Sequence, residues 1–191
     1  MESSVDLPCP QCTNSGLTML ALNTEIAYFG EHTQITLMCD SCGWKHTDFI
    51  PSDGIKPSAW SLSLDSEDKM STRVVRSSSC KVRISGLDLE VTPGSASSGF
   101  ISNVEGVIKR FEDAIGIVLN GTDSNSGEVR DDAIELLVDL NRIKNGELGA
   151  ELVLLDPRGR SQILHVEAVA RNLTESEISL LKVGYELPEI E

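Results

Sequence analysis

The sequence predicts an α+β fold, rich in β-strand and built in two parts: a small cysteine-knuckled ribbon, then a larger β-rich domain with a helical hairpin inserted in it. Three observations predict it. Two Cys-x-x-Cys pairs, Cys9-Pro-Gln-Cys12 and Cys39-Asp-Ser-Cys42, stand 26 residues apart. Apolar residues alternate with polar ones through most of the chain beyond them, the period of a half-buried strand. Between about residues 102 and 145 the period changes to that of an amphipathic helix, twice, with Asn-Gly at the end of each run.

Paired knuckles of this kind close a tetrahedral thiolate site, because zinc takes four soft ligands at about 2.3 Å. Cys9, Cys12, Cys39 and Cys42 are therefore expected to hold one structural zinc ion per chain. Two disulfides or an iron site are the alternatives for the same residues. Pro10 fixes φ in the first knuckle, and Gly43 permits a left-handed turn at the second. The spacing between the pairs is longer than the commonest range, so the intervening chain must itself be a hairpin. Residues 17–22 and 35–39 read as its strands, Thr24, Ile26 and Tyr28 alternate, and Phe29-Gly30-Glu31 offers the turn. His32 and His46 lie in the same segment, but four cysteines suffice, so both are read as exposed or partly packed. Four thiolates leave no open position for water or substrate, which argues against a zinc enzyme.

The 191 residues carry a net charge of −14, with 30 acids against 16 bases. Residues 1–50 hold one base, Lys45, and six acids, and the later segments are acidic too. Phosphate binding rests on neutralisation by Lys and Arg, so nucleic acid is an unfavourable partner. Hydrophobic residues make up 40% and aromatics only 4%, so the core is aliphatic. No apolar run approaches the ~18 residues of a membrane span, and the polar start does not read as a signal peptide. Paired cysteines without such a signal point to a reducing compartment, the cytoplasm.

In order, residues 1–50 form the ribbon, with 1–8 a polar lead-in, 51–58 a linker rich in proline and glycine, and 59–191 the β-rich domain. Trp60, Leu62 and Leu64 open it as a strand. Residues 69–83 carry five bases (Lys69, Arg73, Arg76, Lys81, Arg83) and no acid, the one local reversal of charge. This stretch reads as a contact for an acidic partner, centred on Arg73 and Arg76, or as a charged strand face. Cys80, without a partner at metal spacing, reads as a buried thiol. Val82 and Ile84, then Leu87, Leu89 and Val91, alternate in opposite phases, with a bulge or bend expected at Gly86. Ser102-Asn-Val-Glu105 is a capping box. The helix behind it carries Val104, Val107, Ile108, Phe111, Ile115, Val118 and Leu119 on one stripe. A second helix carries Ala133, Ile134, Leu137 and Leu140. The loop between them holds calcium-like residues, Asp123, Asn125 and Glu128, without full calcium-loop spacing, and is read as a plain connection. Residues 152–155 read as a buried strand, Asp156-Pro-Arg-Gly159 as a type I turn, and Leu164, Val166, Ala168 and Ala170 as the return strand. Thr174-Glu-Ser-Glu177 is a second capping box, opening a helix to about Gly184.

Six motifs occur together and in order: Cys-Pro-Gln-Cys with Gly16 and Thr18; Cys-Asp-Ser-Cys-Gly-Trp; Arg73-Val-Val-Arg76-Ser-Ser; Leu87-Asp-Leu-Glu-Val91; Asn103-Val-Glu-Gly106; and Asp156-Pro-Arg-Gly159. The series resembles the ZPR-type zinc-finger family over residues 7–165, in its single-copy, archaeal-type form. The resemblance implies a zinc ribbon joined to a β-barrel-like, double-stranded β-helix-like domain with an inserted helical hairpin. It also implies Cys9, Cys12, Cys39 and Cys42 as zinc ligands. Finally, it implies a non-enzymatic role: binding translation elongation factor 1 alpha as an adaptor or folding chaperone. A nucleic-acid-binding zinc ribbon of transcription or translation is the alternative that the cysteines alone allow. The ending after residue 165 departs from the tyrosine- and arginine-rich pattern usual in the family.

Overall fold

The computed structural model describes residues 2–26, 30–51, 56–94, 96–121 and 127–181. Tyr28, Phe29, Asp123, Asn125, Gly184, the middle of the expected linker and the side chain of Glu128 lie outside the described residues.

Four antiparallel strands make the ribbon: β1 (Glu2–Pro8), β2 (Ser15–Ile26), β3 (Gly30–Met38) and β4 (Lys45–Pro51), paired in that order. The first of these was expected to be a polar lead-in. It is a strand because Val5 and Leu7 alternate with polar neighbours, pair against β2 with Val5 opposite Leu17, and cover the ribbon core. Leu17, Met19, Ile35, Leu37 and Trp44 form that core together with the cysteines.

The second unit begins with β5 (Ser58–Leu64), followed by a 3-10 turn at Glu67–Ser71. Then come β6 (Arg73–Arg76), β7 (Lys81–Ser85), β8 (Leu89–Val91) and β9 (Phe100–Asn103). The helical hairpin follows, α1 (Val104–Gly121) and α2 (Gly127–Lys144). The chain returns through β10 (Ala150–Asp156), β11 (Gln162–Leu164) and β12 (Val169–Asn172), and α3 (Glu175–Leu180) follows. Two sheets result, a five-stranded one in the order β12-β5-β10-β7-β8 and a three-stranded one in the order β11-β6-β9. Long-range antiparallel pairs such as β5 with β10 and β6 with β9 bring distant segments together. Leu62, Leu64, Val82, Ile84, Leu152 and Leu154 face one aliphatic core with Val74 and Ile163 of the smaller sheet. Each fully buried aliphatic side chain of this kind contributes about 1.5–3 kcal/mol.

Several expected elements differ in detail. The cap of α1 is Asn103, not Ser102: the Asn103 side-chain oxygen accepts the Gly106 amide at 2.9 Å. Both residues pair in β9, Ser102 opposite Val74 and Asn103 opposite Arg73, so the helix starts directly from the last residue of the strand. Val104, Val107, Ile108, Phe111 and Ile115 are buried as expected, and Leu119 packs against the same core, but Val118 beside it is turned outward at 51% exposure. On α2 Ala133 and Leu140 face inward, while Ile134 is exposed. Gly86 sits in a tight hairpin turn between β7 and β8, not at a bulge. The single return strand expected over 164–170 is two strands. A turn closed by the Ala168 amide on the His165 carbonyl separates β11, which pairs with β6, from β12, which pairs with β5. Each half serves a different sheet, so the run has to bend, and Val166 is left outside at 95% exposure. Gly159, in the turn after β10, has φ +65°, and a Cβ there would run into the Lys56 backbone. The second capping box is present at α3, with Thr174 and Glu177 exchanging both hydrogen bonds.

Candidate metal centre and its junction with the second domain

Each knuckle is a tight turn with a left-handed residue after its second cysteine. In the first, the Cys9 carbonyl accepts the Thr13 amide at 2.9 Å and the Cys9 amide donates to Asn14 at 2.8 Å. In the second, the Cys39 carbonyl accepts the Gly43 amide at 2.8 Å and the Cys39 amide donates to Trp44 at 2.9 Å. Gly43 has φ +74°, as its sequence suggests, and the equivalent position of the first knuckle is Thr13 at φ +61°. A β-branched residue is strained there, a cost invisible in the sequence because no glycine marks it.

The turns set the sulfurs in place. Cys9 Sγ lies 3.7 Å from Cys42 Sγ, and Cys12 Sγ lies 3.6 Å from Cys39 Sγ. All four sulfurs fall within 4.8 Å of one another. Four sulfurs at 2.3 Å from one ion, at tetrahedral angles, stand about 3.8 Å apart. The four cysteines are therefore positioned to hold one metal ion, and the donor set suits zinc. The Gln11 amide points at Cys9 Sγ at 3.4 Å. Burial raises the Cys39 thiol, but the Cys42 and Ser41 amides and the neighbouring thiols outweigh it and leave this group at about 7. At Cys42 the Trp44 amide lowers the thiol, while burial and the neighbouring thiols together push it up to about 12. A divalent cation reverses this contest, since it neutralises the crowded thiolates and drives off their protons. All four positions are filled by protein sulfur, so the ion supplies folding energy and leaves no coordination site for a substrate.

Neither histidine joins the cluster. Both were expected exposed or partly packed, and both are buried, His32 at 1% and His46 at 0%. They occupy inward positions of β3 and β4. His32 Nδ1 lies 3.1 Å from the Gly30 carbonyl, and the His46 ring stacks on Trp44. Burial holds His46 below its ordinary pKa, so it packs as the neutral imidazole. Cys80 is fully buried as expected, and desolvation pushes its thiol up to about 12, which makes it inert at neutral pH.

The ribbon is seated on the second domain through β4. The Gly99 amide donates to the Thr47 carbonyl at 2.6 Å. Phe49 and Ile26 pack on Val75 and Ile101. Asp48, 0% exposed, accepts the Ser78 amide at 3.0 Å, the Ser78 hydroxyl at 2.8 Å and Arg160 at 3.2 Å. A second buried carboxylate lies behind it. Asp156 accepts the hydroxyls of Ser77, Ser79 and Ser161 at 2.7, 2.7 and 2.6 Å, and the amides of Arg158 and Arg160 at 2.9 Å each. Sequence reasoning missed both aspartates. The serine run at 77–79 was the signal: three small hydroxyls in a row, buried at 0–1%, need acceptors.

The basic stretch divides once its surroundings are visible. Lys69 is buried at 5%, held by Asp65 at 2.8 Å and Glu167 at 2.6 Å. Lys81 pairs with Glu90 at 2.8 Å, and Arg83 reaches the same carboxylate at 3.4 Å. Arg76 is 5% exposed and committed inward: Nε and one terminal nitrogen donate to the Cys80 carbonyl at 3.1 and 2.7 Å. Its other nitrogen donates to Ser97 Oγ at 2.7 Å and the Ser98 carbonyl at 3.1 Å. Acids distant in sequence and carbonyls of the loops neutralise what looked like a free basic patch. Arg73 alone of the five is exposed with no ion pair among the described residues. Arg76→Ala is accordingly expected to strand the Cys80 carbonyl and lower stability by about 2–4 kcal/mol; urea denaturation with zinc present measures it, and an unchanged midpoint would remove Arg76 from the fold's support.

Fold and site together define a class: a closed four-cysteine ribbon docked on a two-sheet β-sandwich body. Residues 3–57 match the ZPR1 zinc-finger domain, and residues 68–179 match the ZPR1 jelly-roll domain. The chain belongs to the ZPR1 family. A ZPR1-like protein of Methanocaldococcus jannaschii is 32% identical over 96% of this chain and 92% of its own length. A ZPR1-like protein of Pyrococcus horikoshii is 31% identical over 92% of this chain and 80% of its own. Zinc finger protein ZPR1 of Bos taurus is 25% identical over 98% of this chain but 43% of its own length. The jelly-roll match continues to residue 179, beyond the reach of the six motifs.

Proposed function

We propose that this protein is a non-enzymatic, cytoplasmic interaction module that binds a homologue of translation elongation factor 1 alpha and assists its folding. One observation carries the interaction role. One side of the hairpin is buried, from Val104 to Ile115 on α1 and at Ala133, Leu140 and Ile143 on α2. The other side of the hairpin leaves aliphatic residues uncovered, with Ile117 at 73%, Val118 at 51%, Val129 at 51% and Val138 at 55% exposure. Aliphatic residues gathered on one projecting element mark a surface meant to be covered. Family membership supports the same reading, as does the relative in Schizosaccharomyces pombe named a zinc finger chaperone, 26% identical over 83% of this chain. The elongation factor itself rests on the resemblance in the sequence. The closed thiolate site supports a non-enzymatic role. No helix among the described residues is long and apolar enough to cross a membrane.

The test is capture of a purified elongation factor 1 alpha homologue by the zinc-loaded protein. Ile117→Asp combined with Val138→Asp is expected to weaken capture at least about tenfold. Arg73→Ala is expected to weaken it less and mainly at low salt, as a rim charge does. Both keep their zinc and melting temperature, because the replaced side chains are exposed. Undiminished capture by the hairpin variant would leave the reading without its surface. Nucleic acid is the competing partner, and Lys45 is the only base the ribbon offers. Gel-shift titration at physiological salt is expected to show no binding to DNA or RNA at micromolar protein; a clear shift there would favour the nucleic-acid reading instead.

A further inference from the structure

A pocket of about 270 Å³ opens between the end of β8, the start of β9 and the first turns of α1. Its floor is apolar, formed by Val82, Val91, Phe100 and Phe111. Two guanidinium groups share one of those rings: Arg110 lies 4.0 Å and Arg76 5.8 Å from the centroid of Phe100. Among the described residues Arg110 has no carboxylate partner, and the nearest acid on its own helix face, Asp113, is taken by Lys109 at 2.8 Å. Arg76 commits four of its five N–H groups to the Cys80 carbonyl and the 97–98 loop, so what it brings to the pocket is chiefly charge. In a chain of net charge −14, where Lys69, Lys81 and Arg83 are paired with acids, two like charges beside an unfilled apolar floor are a local imbalance that an anion would relieve. The wall adds a second feature. β8 is the edge strand of the five-stranded sheet, and Val91 at its end lines the pocket and is 41% exposed. An open edge accepts an extended peptide as a further strand.

We propose that this pocket is a docking site for an extended acidic–apolar peptide segment of a partner protein. The peptide backbone pairs with the free edge of β8. One aliphatic side chain fills the floor over Phe100 and Phe111. A carboxylate two residues along, on the same face of the added strand, meets the exposed fork of Arg110, which suits bidentate pairing. This site is built on the start of α1 and goes beyond the proposed function, because it needs neither the elongation factor nor the exposed hairpin residues Ile117 and Val138.

Three capped peptides test it against the zinc-loaded, ¹⁵N-labelled full chain: acetyl-Glu-Thr-Leu-Thr-Glu-amide, whose leucine and glutamates share one face, its lysine counterpart acetyl-Lys-Thr-Leu-Thr-Lys-amide, and acetyl-Glu-Thr-Ala-Thr-Glu-amide. The acidic–apolar peptide is expected to shift the amides of Val91, Phe100 and Arg110 at up to about 1 mM, an affinity of about 4 kcal/mol. The lysine peptide is expected to shift none of them, and the alanine peptide to bind at least about fivefold more weakly. Arg110→Glu reverses the charge, and Ala114→Trp fills the mouth while keeping both arginines. Each is expected to weaken binding about tenfold or more with zinc content and melting temperature unchanged. Equal binding of the lysine peptide, undiminished binding in both variants, or shifts around Ile117 and Val138 with none at Val91, Phe100 and Arg110 would overturn the proposal.

Discussion

Cys39→Ser is expected to release the zinc ion and unfold the ribbon, while Cys80→Ser keeps both. The ribbon has only a handful of buried apolar residues around its cysteines. Structural zinc sites of this kind contribute about 10–16 kcal/mol of binding at neutral pH, which is folding energy when no site exists in the unfolded chain. Cys80 lies outside the four-sulfur group and buries its thiol in the second domain's core. The second domain has its own aliphatic core and should keep its fold under a chelator. It should nevertheless melt earlier, because the junction loses Asp48 from Ser78 and Arg160, and Phe49 from Val75. Metal analysis of the two variants, with amide exchange before and after chelation, reads both effects. Equal zinc loss from Cys39→Ser and Cys80→Ser would sink the assignment of the ligands. Loss of protection throughout the chain on chelation would show that the second domain does not stand alone.

Asp156→Ala is expected to cost about 3–5 kcal/mol, the largest loss of any single polar substitution in the chain. Five donors converge on this carboxylate, and three of them are hydroxyls buried at 0–1%. Alanine leaves them without an acceptor and without access to water. The affected segments are the turn after β10 and the serine run after β6, so the two sheets lose their shared fastening. Ser79→Ala removes one donor and one of several bonds, and should cost about 1 kcal/mol. Chemical denaturation at saturating zinc separates the cases. A loss below about 1 kcal/mol for Asp156→Ala would show that the serines find other acceptors. Asp48→Ala tests the companion carboxylate, and its effect should centre on the ribbon junction, because three of its hydrogen bonds come from Ser78 and Arg160 of the second domain.

The metal centre was legible because its rule is local. Two residues between cysteines fix a knuckle, soft thiolates fix the metal, and a glycine at 43 fixes the second turn. Helix α1 was legible for the same reason, since the stripe from Val104 to Ile115 is a pattern within one segment. The boundary at its start was off by one residue because Ser102 and Asn103 can both cap. Asn103 caps because it is the last residue of β9, directly before the helix, and its side-chain oxygen reaches the Gly106 amide. The split of the 164–170 strand had no local sign, because its alternation continues through the turn. Only the demand of two different sheets, β6 for one half and β5 for the other, breaks it.

What the sequence by itself determined is therefore the chemistry that neighbours in the chain decide: the four-cysteine site, an aliphatic β-rich body, a helical hairpin, and the resemblance that places the chain in its family. The tertiary structure alone decided which charges are free. Residues 69–83 look like an uncompensated basic patch, yet Asp65, Glu90 and Glu167 neutralise Lys69, Lys81 and Arg83, and carbonyl groups consume Arg76. Glu167 lies 98 positions from Lys69, and Asp156 lies 79 from Ser77. Electrostatic pairing depends on distance in space, and burial on what covers a residue from elsewhere in the chain. Neither can be read along a segment, and so the exposed cation of Arg110 and the uncovered aliphatic residues of the hairpin came into view only with the fold.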